Sequence, residues 1–188
     1  MQAPDEAKLI AEAKAGNQAA MEALLQPYED SVFRFLVQRL GNAHDAADVA
    51  QDSFVKALRG LKNYRDEGKF QAWLFQIARN ESLNFMKKRN RYSTATVNEE
   101  GESRFDQEAD PGPTAVESIV QGERHEMVRD CVSELPETER EVVTLRLDQD
   151  ITFREIAEIT QSPLNTVLGR MRNASKRLRE CFSRKEIE

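Results

Sequence analysis

The stretch Thr152–Glu180, TFREIAEITQSPLNTVLGRMRNASKRLRE, is where the reading of the fold is decided. Thr152 with Glu155 three residues later is a capping box, in which a hydroxyl and a carboxylate satisfy the free N–H groups at a helix start. It predicts a helix from Phe153 to about Thr160. Ser162 is then expected to cap a second helix, with Pro163, which has no N–H to lose, at its first position. At helical spacing Val167, Met171, Ala174, Leu178 and Phe182 share one face of that second helix, and Asn165, Gly169, Arg172, Lys176 and Arg179 share the opposite one.

Two helices separated by about three residues, the first short and the second long, match a helix-turn-helix, although any tight helix pair in a bundle has the same outline. A solvated basic face is the commonest meaning of such a helix. Here Asn165 and Thr166 occupy the first turn, where a helix entering a major groove meets base edges, and Arg170, Arg172, Lys176 and Arg177 follow within reach of bases or phosphates.

The chain has 188 residues, 39% hydrophobic and 32% charged, with 8 Gly and 6 Pro, which suits one ordinary domain or two small ones rich in helix. Its formal net charge of -6 argues against a free-standing DNA binder that relies on global positive charge, so any nucleic-acid contact is local. No apolar run approaches the roughly 20 residues needed to span a bilayer, and MQAPDEAKLI lacks the layout of a signal peptide. The expectation is a cytoplasmic protein with no membrane insertion. Cys131 and Cys181 each fall on an apolar stripe and are read as small core residues in preference to a disulfide.

Helical periodicity fills the first half. Leu9, Ile10 and Ala13 make a short stripe that Gly16 ends and Asn17 restarts; Met21, Leu24, Leu25, Tyr28, Val32, Phe35, Leu36 and Leu40 form the next, with Pro27 a kink or break. A helix expected from Asp45 turns Ala50, Phe54, Ala57, Leu58 and Leu61 inward and Asp45, Asp48, Asp52 and Arg59 outward. After the polar loop KNYRDEGK, the segment FQAWLFQIARNESLNFMKKRNR forms a fourth helix, completing a compact bundle. From Tyr92 to about Thr114 the periodicity fails. Glu99, Glu100, Glu102, Asp106, Glu108 and Asp110, with the breaker DPGP, mark a flexible acidic linker. Periodicity resumes through Ile119, Met127, Val128, Cys131, Val132 and Leu135, and LPETEREVVTLRL starts another helix. The fold class is all-α: two small helical domains, 5–91 and 115–186, joined by a linker, 92–114.

The segment LPETEREVVTLRLDQDITFREIAEITQSPLNTVLGRMRNASKRLRE resembles region four, the C-terminal promoter-binding domain of bacterial sigma factors. DAADVAQDSFVKAL and FQAWLFQIARN are similar to region two of the same proteins. The order of the blocks, and the linker alone between them, resemble the extracytoplasmic-function (ECF) group over nearly the whole chain.

The resemblance implies that the chain binds core RNA polymerase and opens promoter DNA, with no cofactor, no metal and no catalytic residue, and with an anti-sigma factor as a candidate regulator. Core polymerase would dock on Asp48, Gln51 and Asp52 with Asp45 beside them, though acids in a first turn also favour the helix dipole without any partner. Capture of the minus-ten strand calls for a polar loop, an edge-reading face and a basic track. The candidates are Tyr64, Arg65, Asp66 and Lys69 in the loop, Gln76, Asn80 and Asn84 on the helix, and Lys87, Lys88, Arg89 and Arg91 beyond. Asn80 is the closest match, whereas Tyr64 and Trp73 read better as loop or core anchors than as stacking platforms. The linker would thread the polymerase cleft. The minus-thirty-five set is Asn165, Thr166, Gly169, Arg170, Arg172, Asn173, Lys176 and Arg177. It departs from the family, whose members often carry a basic residue and then Ser after the TV pair and another basic residue shortly after; here those positions are Leu168, Gly169 and Asn173.

Three other classes remain to be weighed. An enzyme finds little support, because His44 and His125 are isolated and no phosphate loop or ligand-spaced Cys/His pair occurs. A helix-turn-helix repressor explains the C-terminal half but not FQAWLFQIARN or the acidic stripe. A helical adaptor that binds only protein would be excluded by specific promoter binding, and dependence on core polymerase would exclude the repressor.

Overall fold

The computed structural model describes residues 6–95 and 127–185, and every regular element among them is helical. α1 (Glu6–Lys14) turns into α2 (Gln18–Leu25) at Gly16, and the side chain of Asn17 caps α2 by accepting the Ala20 N–H at 3.2 Å. Pro27 breaks the next stripe: a 3-10 turn, Gln26–Tyr28, separates α2 from α3 (Glu29–Leu40). Gly41 closes α3 at a φ of 70°, where a side chain would crowd the backbone. Asn42 accepts the Asp45 N–H at 3.0 Å and so starts α4 (Ala43–Gly60) ahead of the expected Asp45. α5 (Phe70–Ala95) runs past the expected domain edge at Arg91.

α1 packs on α2, α3 on both α4 and α5, and α4 on α5. Val32, Phe35, Leu36, Ala46, Leu74, Phe75 and Ala78 fill the centre and are all but inaccessible to water. Each large side chain among them contributes about 1.5–3 kcal/mol relative to exposure. At the end of α4 a Cβ on Gly60 would stand 3.2 Å from Cζ2 of Trp73, so the indole packs directly on backbone.

The C-terminal helices are α6 (127–133), α7 (Glu137–Val143), α8 (Phe153–Thr160) and α9 (Leu164–Lys185); α7 widens into a π-type turn, Thr144–Asp148. The capping box forms as expected: Glu155 N–H donates to Thr152 Oγ1 at 3.3 Å, and Thr152 N–H donates to Glu155 Oε2 at 2.9 Å. α8 ends at Gln161, left-handed at a φ of 51°, and a turn of Gln161, Ser162 and Pro163 leads into α9.

Two expectations are corrected here. Ser162 does not cap α9: its hydroxyl donates to the Thr160 carbonyl and accepts from Arg170 Nη1, both at 3.2 Å. The carbonyl of Pro163 opens the helix instead, accepting from Thr166 N and Val167 N at 2.9 and 3.1 Å. Cys131 and Cys181 are buried, but as a disulfide between α6 and α9, with Cα atoms 5.8 Å apart. Each does lie on an inward stripe; that the two stripes face each other at bonding distance is a property of the packing.

Both halves contribute to one core. Val142, Leu145, Ile151, Ile156, Ile159 and Val167 join the cluster built by α1–α5, and α8 lies along α5. Leu135, Val143 and Ala174 form a second cluster between α7 and α9. The expected linker from residue 96 onward, with all its named acids, lies outside the described residues.

Candidate nucleic-acid interface

α9 carries its apolar face inward, Val167, Ala174 and Cys181 being buried, because these residues recur every seven positions, about two turns, along a helix laid over α7 and α8. Asn165, Thr166, Arg172, Asn173, Lys176 and Arg177 are exposed. Lys176 lies 3.8 Å from Glu180 on its own helix, a pair too exposed to hold the ammonium against a phosphate. Arg177 is drawn toward α7, with Nε 3.2 Å from Glu139 Oε2. Arg170 is half-buried against the turn through its bond to Ser162. Arg172 is thus the arginine of the candidate set with neither an ion pair nor a side-chain hydrogen bond among the described residues. A Cβ on Gly169 would meet nothing within 4 Å, so no internal packing demands glycine there.

On α4, Asp48, Gln51 and Asp52 are exposed on the face away from the core. Asp45 is half-exposed, with Arg89 Nη1 3.4 Å from its Oδ2, and His44 Nδ1 stands 3.6 Å from Asp48 Oδ2. Ser53, on the buried side, turns its hydroxyl back to the Val49 carbonyl at 2.6 Å, so the polar group costs the core little.

The minus-ten candidates divide. Arg65 and Asp66 are exposed in the loop, and Asp66 Oδ1 accepts the Gly68 N–H at 3.0 Å. Tyr64 is only 8% exposed, packed on Phe70 and Trp73, so it anchors the loop and leaves no ring face for a base. Burial, and next the charge of Asp66, hold its phenol above the ordinary range. Asn80 is half-buried and its amide makes no hydrogen bond among the described residues. Asn84 is exposed and donates to Glu81 Oε1 at 3.3 Å. Lys87, Lys88, Arg89 and Arg91 extend along the exposed end of α5.

Lys69 and Gln76 meet the C-terminal half. Lys69 Nζ lies 3.0 Å from Glu158 Oε1, and Gln76 Nε2 donates to the Glu158 carbonyl at 3.4 Å. The hydrogen bond to that carboxylate, with its charge, raises the pKa of Lys69. A groove there is lined by Arg65, Lys69, Trp73, Gln76, Glu158 and Ile159, a polar and aromatic surface of the kind that holds an unstacked base, partly roofed by α8.

Sequence reasoning missed the polar seam between the halves. Arg39 Nη1 and Arg79 Nε both bond Glu141 Oε1, at 2.5 and 2.7 Å; Thr144 Oγ1 donates to Gln38 Oε1; and Gln71 Nε2 donates to the Gln149 carbonyl at 2.9 Å. A signal existed: Arg39 sits one turn after Phe35 on an apolar stripe, and Glu141 precedes Val142 and Val143 on the inner side of α7.

Residues 24–92 match Sigma-70 region 2, and residues 125–178 match Sigma-70, region 4. The ECF RNA polymerase sigma factor SigW of Bacillus subtilis is 28% identical over 92% of this chain and 94% of that protein. The RNA polymerase sigma-H factor of Pseudomonas aeruginosa is 30% identical over 87% of this chain and 86% of that protein. Among solved structures, the sigma factor RpoE from Bartonella quintana, crystallised with the anti-sigma factor NepR, superposes with a TM-score of 0.68 at 23% identity, covering 85% of this chain and 94% of that one, and so shares the fold. Two regions in the expected order, together with relatives that align over most of both chains, place the chain in the sigma-70 family of RNA polymerase sigma factors, in its ECF group.

Proposed function

We propose that this chain, as an ECF sigma factor directing promoter-specific initiation, divides its work among three surfaces. The outer ridge of α4, Asp48, Gln51 and Asp52, docks on core polymerase. The loop 64–69 and the outward face of α5 around Asn80 capture the minus-ten strand, with Lys87, Lys88, Arg89 and Arg91 as a track for its phosphates. α9 enters the major groove of the minus-thirty-five element, led by Asn165, Thr166 and Arg172. The domains of this reading are 5–91 and 115–186, joined by the linker 92–114. The protein acts by binding and leaves chemistry to the polymerase, in the cytoplasm; no described helix is long and apolar enough to cross a membrane. An anti-sigma partner, of the kind bound in the RpoE structure, would hold it inactive.

The observation that carries this reading is the exposed polar and cationic face of α9 opposite the face that buries Val167, Ala174 and Cys181, in a chain whose net charge is -6. Charge confined to one helix face gives local DNA contact and leaves the polymerase to supply the remaining affinity. Run-off transcription with purified core polymerase on fragments of the source genome tests it. Discrete transcripts that require the chain are expected; none, or transcripts independent of it, would refute it.

A further inference from the structure

The reading face of α9 is not wholly polar. Leu164 and Leu168, one turn apart, are 37% and 39% exposed, two of the five large apolar side chains that stand out of the described surface. They lie on the rim between the buried stripe of Val167 and Met171 and the outward Arg172, and Asn165 stands next to the first of them. The domain-to-domain packing leaves them uncovered, since α8 and not the start of α9 lies against α5. Isolated exposed leucines are ordinary. A pair on the first two turns of a helix placed for a major groove is more specific, because that groove presents one apolar feature, the C5-methyl of thymine.

We infer that Leu168, with Leu164 beside it, reads thymine methyl groups in the minus-thirty-five element, next to the base pair or phosphate engaged by Arg172. This deepens the proposed role of α9 and rests on it. A branched apolar side chain gains nothing from a phosphate or a polar base edge, but loses water-exposed surface against a methyl. A lysine or arginine there would hold any sequence through its phosphates, whereas a leucine selects one base. Gly169 fits the same picture, as the absence of a Cβ beside Leu168 lets the helix lie closer to the groove wall.

The test uses holoenzyme reconstituted from core polymerase and the full chain. A minus-thirty-five duplex is first selected from a randomised pool, and each thymine in it is then replaced singly by deoxyuridine, which removes only the methyl. For the parent, one or two replacements are expected to weaken binding about fourfold, the worth of one buried methyl-sized group. Leu168→Ala is expected to bind the thymine and deoxyuridine duplexes equally at those positions. Insensitivity of the parent to every replacement, or equal sensitivity in parent, Leu168→Ala and Leu164→Ala, overturns the inference. Arg172→Ala separates the two levels. If it relaxes the selected motif while deoxyuridine is silent, only the methyl contact fails; if it too changes nothing, α9 is not the reading helix.

Discussion

Arg39 and Glu141, 102 residues apart in the chain, meet as a buried ion pair at 2.5 Å, their side chains 5% and 4% exposed. The pair ties α3 of region two to α7 of region four. Burial lowers the pKa of Arg39, the carboxylates of Glu141 and Glu137 oppose that shift, and Arg79 shares the Glu141 oxygen. Two guanidinium groups therefore share the Glu141 carboxylate, and Arg39 has a second, longer contact with Glu137 Oε1 at 3.4 Å.

Removing the Glu141 carboxylate takes the ion pair from Arg79 and leaves the buried Arg39 with the more distant Glu137. Glu141→Ala is expected to cost about 3–5 kcal/mol, the usual penalty for leaving a buried charge unpaired. The cost falls on the contact between regions, so the domains should separate. An increased radius of gyration by solution scattering, with an earlier denaturant transition, is the expected pattern; parental values for both would contradict the role given to the pair.

The closed arrangement also occupies part of the surface proposed for the minus-ten strand. Glu158 holds Lys69 through an ion pair whose side chains are 41% and 57% exposed, so water screens it and it contributes little. Glu158→Ala should therefore raise the affinity of the free chain for single-stranded minus-ten oligonucleotide by no more than about fivefold. Fluorescence anisotropy reads this directly, and Glu141→Ala should exceed it, because opening the domains uncovers the whole groove.

Asp52 lies beyond the first turn of α4, where an acid gains little from the helix dipole, and it is exposed. Asp52→Lys is expected to reduce co-purification with core polymerase while the unfolding free energy stays within about 0.5 kcal/mol of the parent. Undiminished co-purification would remove Asp52 from the docking ridge.

Asn80 has an amide with donors and an acceptor to offer to one base edge. Asn80→Ala should change base preference at a single minus-ten position and leave dependence on the minus-thirty-five element intact. Transcription from templates carrying all four bases at each position measures it; an unchanged profile at every position rules the assignment out.

Tyr28 donates to Glu6 Oε2 at 2.6 Å, and burial, followed by this bond and the Glu6 charge, raises its pKa. A raised native value means that the native state keeps its proton longer than the unfolded chain. The associated stability is fully present below pH about 10 and is lost as the pH rises through the native value. Tyr28→Phe should cost about 1 kcal/mol at neutral pH and flatten the alkaline loss. Tyr64, raised in the same sense, keeps part of that slope. An identical alkaline profile in denaturant titrations of parent and Tyr28→Phe would disprove the linkage.

What the sequence by itself determined about this protein is local. The Thr152–Glu155 box, the break at Pro27, the cap at Asn17 and the inward stripe of α9 each depend on residues within a turn or two, where backbone geometry alone brings the partners together. The two motif blocks carry the family for the same reason. The tertiary structure alone decided which stripes face each other: Cys131 against Cys181, Arg39 against Glu141, Arg177 against Glu139, Lys69 against Glu158. Periodicity shows that Arg39 and Glu141 point inward, yet a helix face is compatible with many neighbours. Only the packing of Ile156, Ile159 and Val167 into the core of α1–α5 sets the angle at which these charges meet. That packing makes Lys69 and Gln76 partners of region four, and it leaves Leu164, Leu168 and Arg172 facing outward.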